Sequence, residues 1–283
     1  MWWCGNILHG SPWRIYFSAL LVDSAAINAQ VRHCVASHLL QTRTVLILVY
    51  GRYDRAFSIT EEKISLRIDS GSSLPEYVRE CGGTRTGKHL ASEYDAIHIH
   101  PVEPVNLPQE ITHYLEIVFP TIVLPPSKQK RIFLKFPVEI GVFFEIRGEM
   151  NVLDIFSLIP TKFSLYGSPS RGVITRWYRS EIFSEIPLTD MYREGVLELT
   201  LVNHCNTTVD VSRAVFDSYH MNLFYGTRVG MTATMEVISP VIALTTFATT
   251  PPEGCPNRSI DLYTARKFTV GTFKGFLMEA GMS

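Results

Sequence analysis

Residues Lys130 to Gly148 read Lys-Arg-Ile-Phe-Leu-Lys-Phe-Pro-Val-Glu-Ile-Gly-Val-Phe-Phe-Glu-Ile-Arg-Gly. Ile132, Leu134 and Phe136 alternate with Arg131, Phe133 and Lys135. A period of two marks a strand with one buried face. Pro137 has no N–H to give to a ladder, so it marks a strand start, an edge or a bulge. Beyond it, Val138, Ile140, Val142 and Phe144 fall on one face, and Glu139, Gly141, Phe143 and Glu145 on the other. The stretch is therefore two β-strands meeting at Pro137. Glu139 stands in an apolar run, where an uncompensated carboxylate costs several kcal/mol. The plainer reading is an exposed-face side chain or one bonded to nearby backbone. The sharper one is a ligand or acid/base group.

The same signals recur along the chain. Lys63 to Asp69 alternates through Ile64, Leu66 and Ile68, and Tyr114 to Phe119, Val196 to Val202, Val209 to Phe216, Tyr219 to Tyr225 and Val229 to Ile238 read as further strands. Asp217-Ser218 and Gly226-Thr227-Arg228 suit hairpin connections. The body's one helix expectation is Asn151 to Ile159, with Asn151 as cap and Val152, Ile155, Phe156 and Ile159 on one side. No long amphipathic helices separate the strands, which excludes a parallel α/β sheet. The expected fold is all-β, a two-layer antiparallel β-sandwich or open barrel with at most one or two short helices.

Residues 1–44 differ from the rest. They hold three of the four tryptophans and lack the alternation, although Ile27, Val31, Val35 and Leu39 recur at helical spacing. The expected organisation is an N-terminal appendage over 1–44 and a single β-rich domain over 45–283. The five cysteines are dispersed with no C-x-x-C, which favours a reducing compartment over a disulfide scaffold or zinc knuckle. A formal charge of −1 over 283 residues gives no general pull toward nucleic acid. No run is long enough for a membrane-spanning helix, and the start only loosely imitates a signal peptide. Long apolar strands with exposed edges favour a homodimer.

Three segments carry chemistry worth weighing. Gly82 to Lys88 imitates a phosphate loop, but His89 takes the Ser/Thr place and no strand–helix context surrounds it, so a solvated hairpin loop is expected. His98 and His100 are two apart on a strand and share a face, with Glu103 shortly after. With Glu139, or with His113 or Glu145, they would form a candidate divalent-metal site. The plainer alternative is solvent-facing or mutually bonded histidines. Arg171, Arg176 and Arg179 flank Trp177 and Tyr178, a mixture that can hold a ligand by stacking. Arg176 and Trp177 are the candidate ligand-binding residues, against a plainer reading of outward arginines over inward aromatics.

Several phrases, taken together, resemble a known family. They are His100-Pro101-Val102-Glu103-Pro104 with Asn106-Leu107-Pro108, Phe136-Pro137-Val138-Glu139-Ile140-Gly141-Val142, Lys162-Phe163-Ser164-Leu165-Tyr166-Gly167 with Gly172-Val173-Ile174-Thr175-Arg176, and Phe276-Leu277-Met278-Glu279-Ala280-Gly281. From about residue 49 onward the chain resembles an archaeal family known as domain of unknown function 432. The resemblance implies an archaeal, cytoplasmic protein and brings no activity, cofactor or catalytic residue.

The residues leave three functions open. The first is a non-enzymatic module that binds an unknown protein or small molecule, supported by the absence of G-x-S-x-G, phosphate-loop, dinucleotide and cysteine-metal motifs. The second is a metal-binding protein or metal-dependent enzyme using His98, His100, Glu103 and Glu139. The third is a carbohydrate-active or carbohydrate-binding sandwich drawing its carboxylates from Glu103, Glu139, Glu145 and Glu279.

Overall fold

The computed structural model describes residues 50–53, 57–61, 64–69, 74–91, 93–106, 111–262 and 275–278. The expected appendage and its helical spacing lie outside the described residues. From Tyr50 onward the chain is built almost wholly of strands. In chain order they are β1 Gly51–Tyr53, β2 Ser58–Glu61, β3 Ile64–Asp69, β4 Glu76–Cys81, β5 Thr84–His89, β6 Ala96–Val102 and β7 Tyr114–Leu124. Then come β8 Gln129–Pro137, β9 Glu139–Ile146, β10 Glu149–Phe156, β11 Phe163–Tyr166, β12 Val173–Arg179, β13 Glu194–Asn203 and β14 Val209–Asp217. The last are β15 Phe224–Tyr225, β16 Val229–Ser239, β17 Ile242–Phe247, β18 Asn257–Arg258 and β19 Gly275–Met278.

These form four sheets, ordered β2-β3-β4-β5, β1-β6-β9-β10, β11-β12-β7-β14, and a seven-stranded sheet built on β18-β15-β16-β13-β8 with β17 and β19 beyond β16. The protein is all-β, as the alternation requires. Most ladders are antiparallel, while β12 runs parallel to β7 and β13 parallel to β16. One continuous apolar core takes Leu66 and Tyr77 from the first sheet, Ile99 and Val142 from the second, Ile117 and Val211 from the third, and Leu134 and Leu199 from the fourth.

Pro137 is where the chain changes sheet. β8 pairs with β13 in the seven-stranded sheet, and β9 pairs with β6 and β10 in another. Pro137 closes β8 without needing a donor, and Val138 N–H then donates to Arg193 O at 2.9 Å. Both sides of the corner are buried: Phe136, Val138, Ile140 and Val142 have no exposed surface.

Three local expectations are corrected. Residues 149–156 form β10, not a helix. Arg147 and Gly148, both at positive φ (52° and 81°), make a two-residue turn that returns the chain along β9. A bulge between Val152 and Asp154 inserts one residue. It puts Val152 and Ile155 against one apolar cluster, and Leu153 and Phe156 in another. A spacing of three, which imitates a helix, is what a bulge produces within a strand. Tyr219 to Tyr225 is not one strand: a one-turn 3-10 helix over Ser218–His220, capped by the Asp217 carboxylate, precedes the short β15. Asp217-Ser218 therefore joins no hairpin, whereas Gly226 to Arg228 does connect β15 to β16. The Gly82 to Lys88 segment is a hairpin whose turn is Gly82-Gly83 alone, with Thr84 to Lys88 inside β5. No helix among the described residues is long and apolar enough to cross a membrane.

Candidate functional site

The strand pair β6–β9 carries the histidine group. His98 lies opposite Phe143, His100 opposite Gly141 and Val102 opposite Glu139. Directly opposed residues share a face, so His98, His100, Glu139 and Glu145 all project to one side. The two imidazoles stack with centroids 5.9 Å apart and planes at 21°. His98 Nε2 lies 2.9 Å from Glu145 Oε2, and Arg52 Nε reaches the same oxygen at 3.6 Å from β1. The hydrogen bond from His98, with Arg52 adding its charge, holds the Glu145 carboxyl below its usual range. His100 is buried against the edges of Phe143 and Tyr225. Burial, reinforced by His98, lowers its pKa to about 4. It is therefore neutral at ordinary pH.

Glu139 is fully buried and accepts the Asn106 N–H at 3.1 Å, which matches the backbone-bonded reading. Asn106 Nδ2 in turn donates to Glu103 O at 2.5 Å, and Glu103 is itself buried just past β6. Sharing a face does not bring the four candidates together. Glu139 stands four residues along β9 from the position opposite His98, about 14 Å at roughly 3.4 Å per residue. A metal needs ligand atoms within about 2 to 2.5 Å of one point. Among the described residues no three His, Cys, Asp or Glu side chains could hold a metal ion. Glu139 and Glu145 are six residues apart on one strand, about 20 Å, whereas a glycosidase pair stands about 5 to 9.5 Å apart. Glu279 lies outside the described residues.

The arginine–aromatic group is a different kind of place. β11 covers β12 only from Val173 to Arg176. Past that point the chain segment 159–162 runs beside β12, held by the Trp177 N–H donating to Lys162 O at 2.9 Å. Between them opens a cavity of about 330 Å³. Ile159, Pro160 and Trp177 give it apolar walls, and Lys162, Arg176 and Arg179 bring cations. Lys162 Nζ sits 5.6 Å from the centre of the Trp177 ring. Tyr178 and Glu194 complete the wall. The Tyr178 hydroxyl donates to Glu194, whose other oxygen takes Lys135 Nζ at 3.1 Å. Burial and the Glu194 carboxylate push the Tyr178 hydroxyl pKa up, so it stays a donor.

Arg176 contradicts the outward-arginine reading. It is 1 % exposed, and among the described residues neither Nη1 nor Nη2 has a hydrogen-bond partner. Burial pulls the guanidinium pKa down, and the charge of Glu139 opposes that shift. Two residues chosen from separate parts of the sequence are thus electrostatic neighbours. Glu116 shows what a structurally satisfied buried charge looks like in the same sheet: it accepts from Thr175 Oγ1 at 2.8 Å, from Arg213 Nη1 at 3.0 Å and from Ser164. Sequence reasoning named Tyr178 beside Trp177 but missed Lys162, Glu194 and Lys135. Lys162 had as its signal only the strand–loop–strand pattern that pairs β11 with β12. Glu194 and Lys135 had none, since only the β8–β13 pairing brings them here.

Fold and site together define an all-β protein with a small cation- and aromatic-lined cavity at the edge of one sheet. Residues 49–279 match the family described as Protein of unknown function (DUF432), and the chain belongs to that family. No curated protein and no solved structure matches it.

Proposed function

We propose that this protein is a non-enzymatic binding module whose ligand, a small molecule, sits in the cavity beside Trp177. The observation that carries the reading is the cavity itself. Ligand sites are concave, mostly apolar and furnished with a few convergent polar groups, at roughly 300–1,000 Å³. The space between β12 and residues 159–162 has that composition and lies at the small end of that size. Its polar groups are cations, the Tyr178 hydroxyl and the Glu194 carboxylate to which that hydroxyl donates.

The test is thermal stabilisation by a library of small ring compounds, run on the wild type and on Ile159→Trp, which fills the cavity. The reading expects hits on the wild type that vanish in the filled variant. Hits that persist there, or a library that stabilises neither, would overturn it.

A further inference from the structure

We propose that the free edge of β11 is a docking site for an extended, acidic segment of a partner protein, which adds to the sheet as a further strand. It stands whether or not the cavity beside Trp177 is filled.

β11 is the terminal strand of its sheet and pairs with β12 alone. The Trp177 N–H donates to Lys162 O, which sets the alternation of bonds in the β11–β12 ladder. Ser164 and Tyr166 therefore point their backbone groups at β12, and Phe163 and Leu165 point theirs away. Among the described residues nothing bonds those outward N–H and C=O groups. Edge strands are ordinarily guarded by charge or proline within the strand. β11 has neither, reading Phe-Ser-Leu-Tyr. The side chains beside the free backbone are apolar and open to solvent. Phe163 is 36 % and Leu165 49 % exposed, and Ile174, opposite Leu165 on β12, is 48 % exposed. Strand addition uses such a place: main-chain bonds hold the incoming segment, and contacts to its alternate side chains select it.

Charge names the occupant. Between Asp154 and Glu181 the chain holds Lys162, Arg171, Arg176 and Arg179 and no acid. Lys162 and Arg179 stand at one end of the β11–β12 hairpin and Arg171 in its turn. All three are exposed, and among the described residues no carboxylate pairs with them. A second copy of this chain does not suit the edge. Antiparallel pairing of β11 with itself would carry each Lys162 toward the turn that holds the other copy's Arg171, where like charges repel. A segment with apolar alternate residues and acids at its ends matches both the edge and its charge.

The experiment is fluorescence anisotropy of the labelled peptide Glu-Val-Thr-Val-Thr-Val-Glu titrated with the full chain at neutral pH. One control, Lys-Val-Thr-Val-Thr-Val-Lys, reverses the charge. The other, Glu-Val-Pro-Pro-Thr-Val-Glu, removes N–H donors from both edges of the peptide. The acidic peptide is expected to bind at least about tenfold more tightly than either control. Leu165→Pro, which deletes one outward N–H, should weaken it about tenfold. If that variant does not fold, Leu165→Ser carries the test, with an expected loss of at least about threefold from the missing apolar contact. Joint replacement of Lys162 and Arg171 by Ser should abolish the preference for acid over base. Failure of the acidic peptide to bind, or an affinity unchanged in both Leu165 variants, would overturn the docking site. Equal binding of the proline peptide would overturn strand addition. Binding of phosphatidylserine vesicles in place of the peptide, lost in Leu165→Ser, would overturn the protein partner and assign the edge to a membrane surface.

Discussion

The Arg79 guanidinium meets the Asp154 carboxylate at 2.6 Å, joining β4 of one sheet to β10 of another. The same carboxylate accepts the Tyr77 hydroxyl at 3.1 Å, and Arg79 lies 4.9 Å from the centre of the Phe156 ring. Asp154 reaches this position because the bulge after Val152 resets the strand. Removing one partner of a buried pair leaves the other charge uncompensated. Asp154→Ala should therefore cost about 2–4 kcal/mol in urea unfolding, since it strands both Arg79 and Tyr77. A loss under about 0.5 kcal/mol, typical of surface changes, would mean that water carries these groups.

His100 gives the stability a pH dependence of definite sign. Its ordinary value is 6.5 and its folded value about 4, so between these the unfolded chain binds the extra proton. Stability then rises with pH across that window and is lost as pH falls from about 6.5 toward about 4. Between pH 7 and pH 5 the loss should be about 2 kcal/mol. Glu145, whose pKa is depressed by His98 and Arg52, contributes in the same direction but only at lower pH, as its carboxylate is protonated. His100→Gln should flatten the 7-to-5 segment relative to the wild type. An unchanged slope in that variant would show that His100 is free to take up a proton in the folded state.

Gly195 lies directly opposite Phe136 in the β13–β8 ladder. A Cβ placed on it would meet the Phe136 ring at 2.3 Å. The ring fills the space that a side chain on β13 would otherwise occupy. Gly195→Ala should cost about 1–3 kcal/mol by overpacking, and the added change Phe136→Leu should recover part of that loss. Neutral behaviour of Gly195→Ala would show that the corner at Pro137 yields more easily than its burial implies.

What the sequence made legible follows the range of the interactions. The alternation around Pro137 gave β8 and β9 with their correct faces, because side-chain period is a property of the strand itself. The shared face of His98 and His100 was legible for the same reason. The placing of Glu139 on that face, and its distance along the ladder, were not, because both depend on how β6 and β9 register. The strand β10 was read as a helix because its bulge changes a period of two into a spacing of three. Arg176 was expected to face outward because charge is ordinarily solvated, whereas the fold buries it near Glu139. The cavity needed the chain at 159–162 to run beside β12, a contact without any local pattern.

The account turns on whether the cavity beside Trp177 is occupied by a ligand. The most direct measurement is the ¹H–¹⁵N spectrum of the tryptophan indoles, with the Trp177 signal assigned by its loss in Trp177→Phe, recorded during titration with the ring compounds that stabilise the wild type. The account predicts a saturable shift of the Trp177 indole signal that disappears in Ile159→Trp. A Trp177 signal that stays fixed through the titration would contradict it.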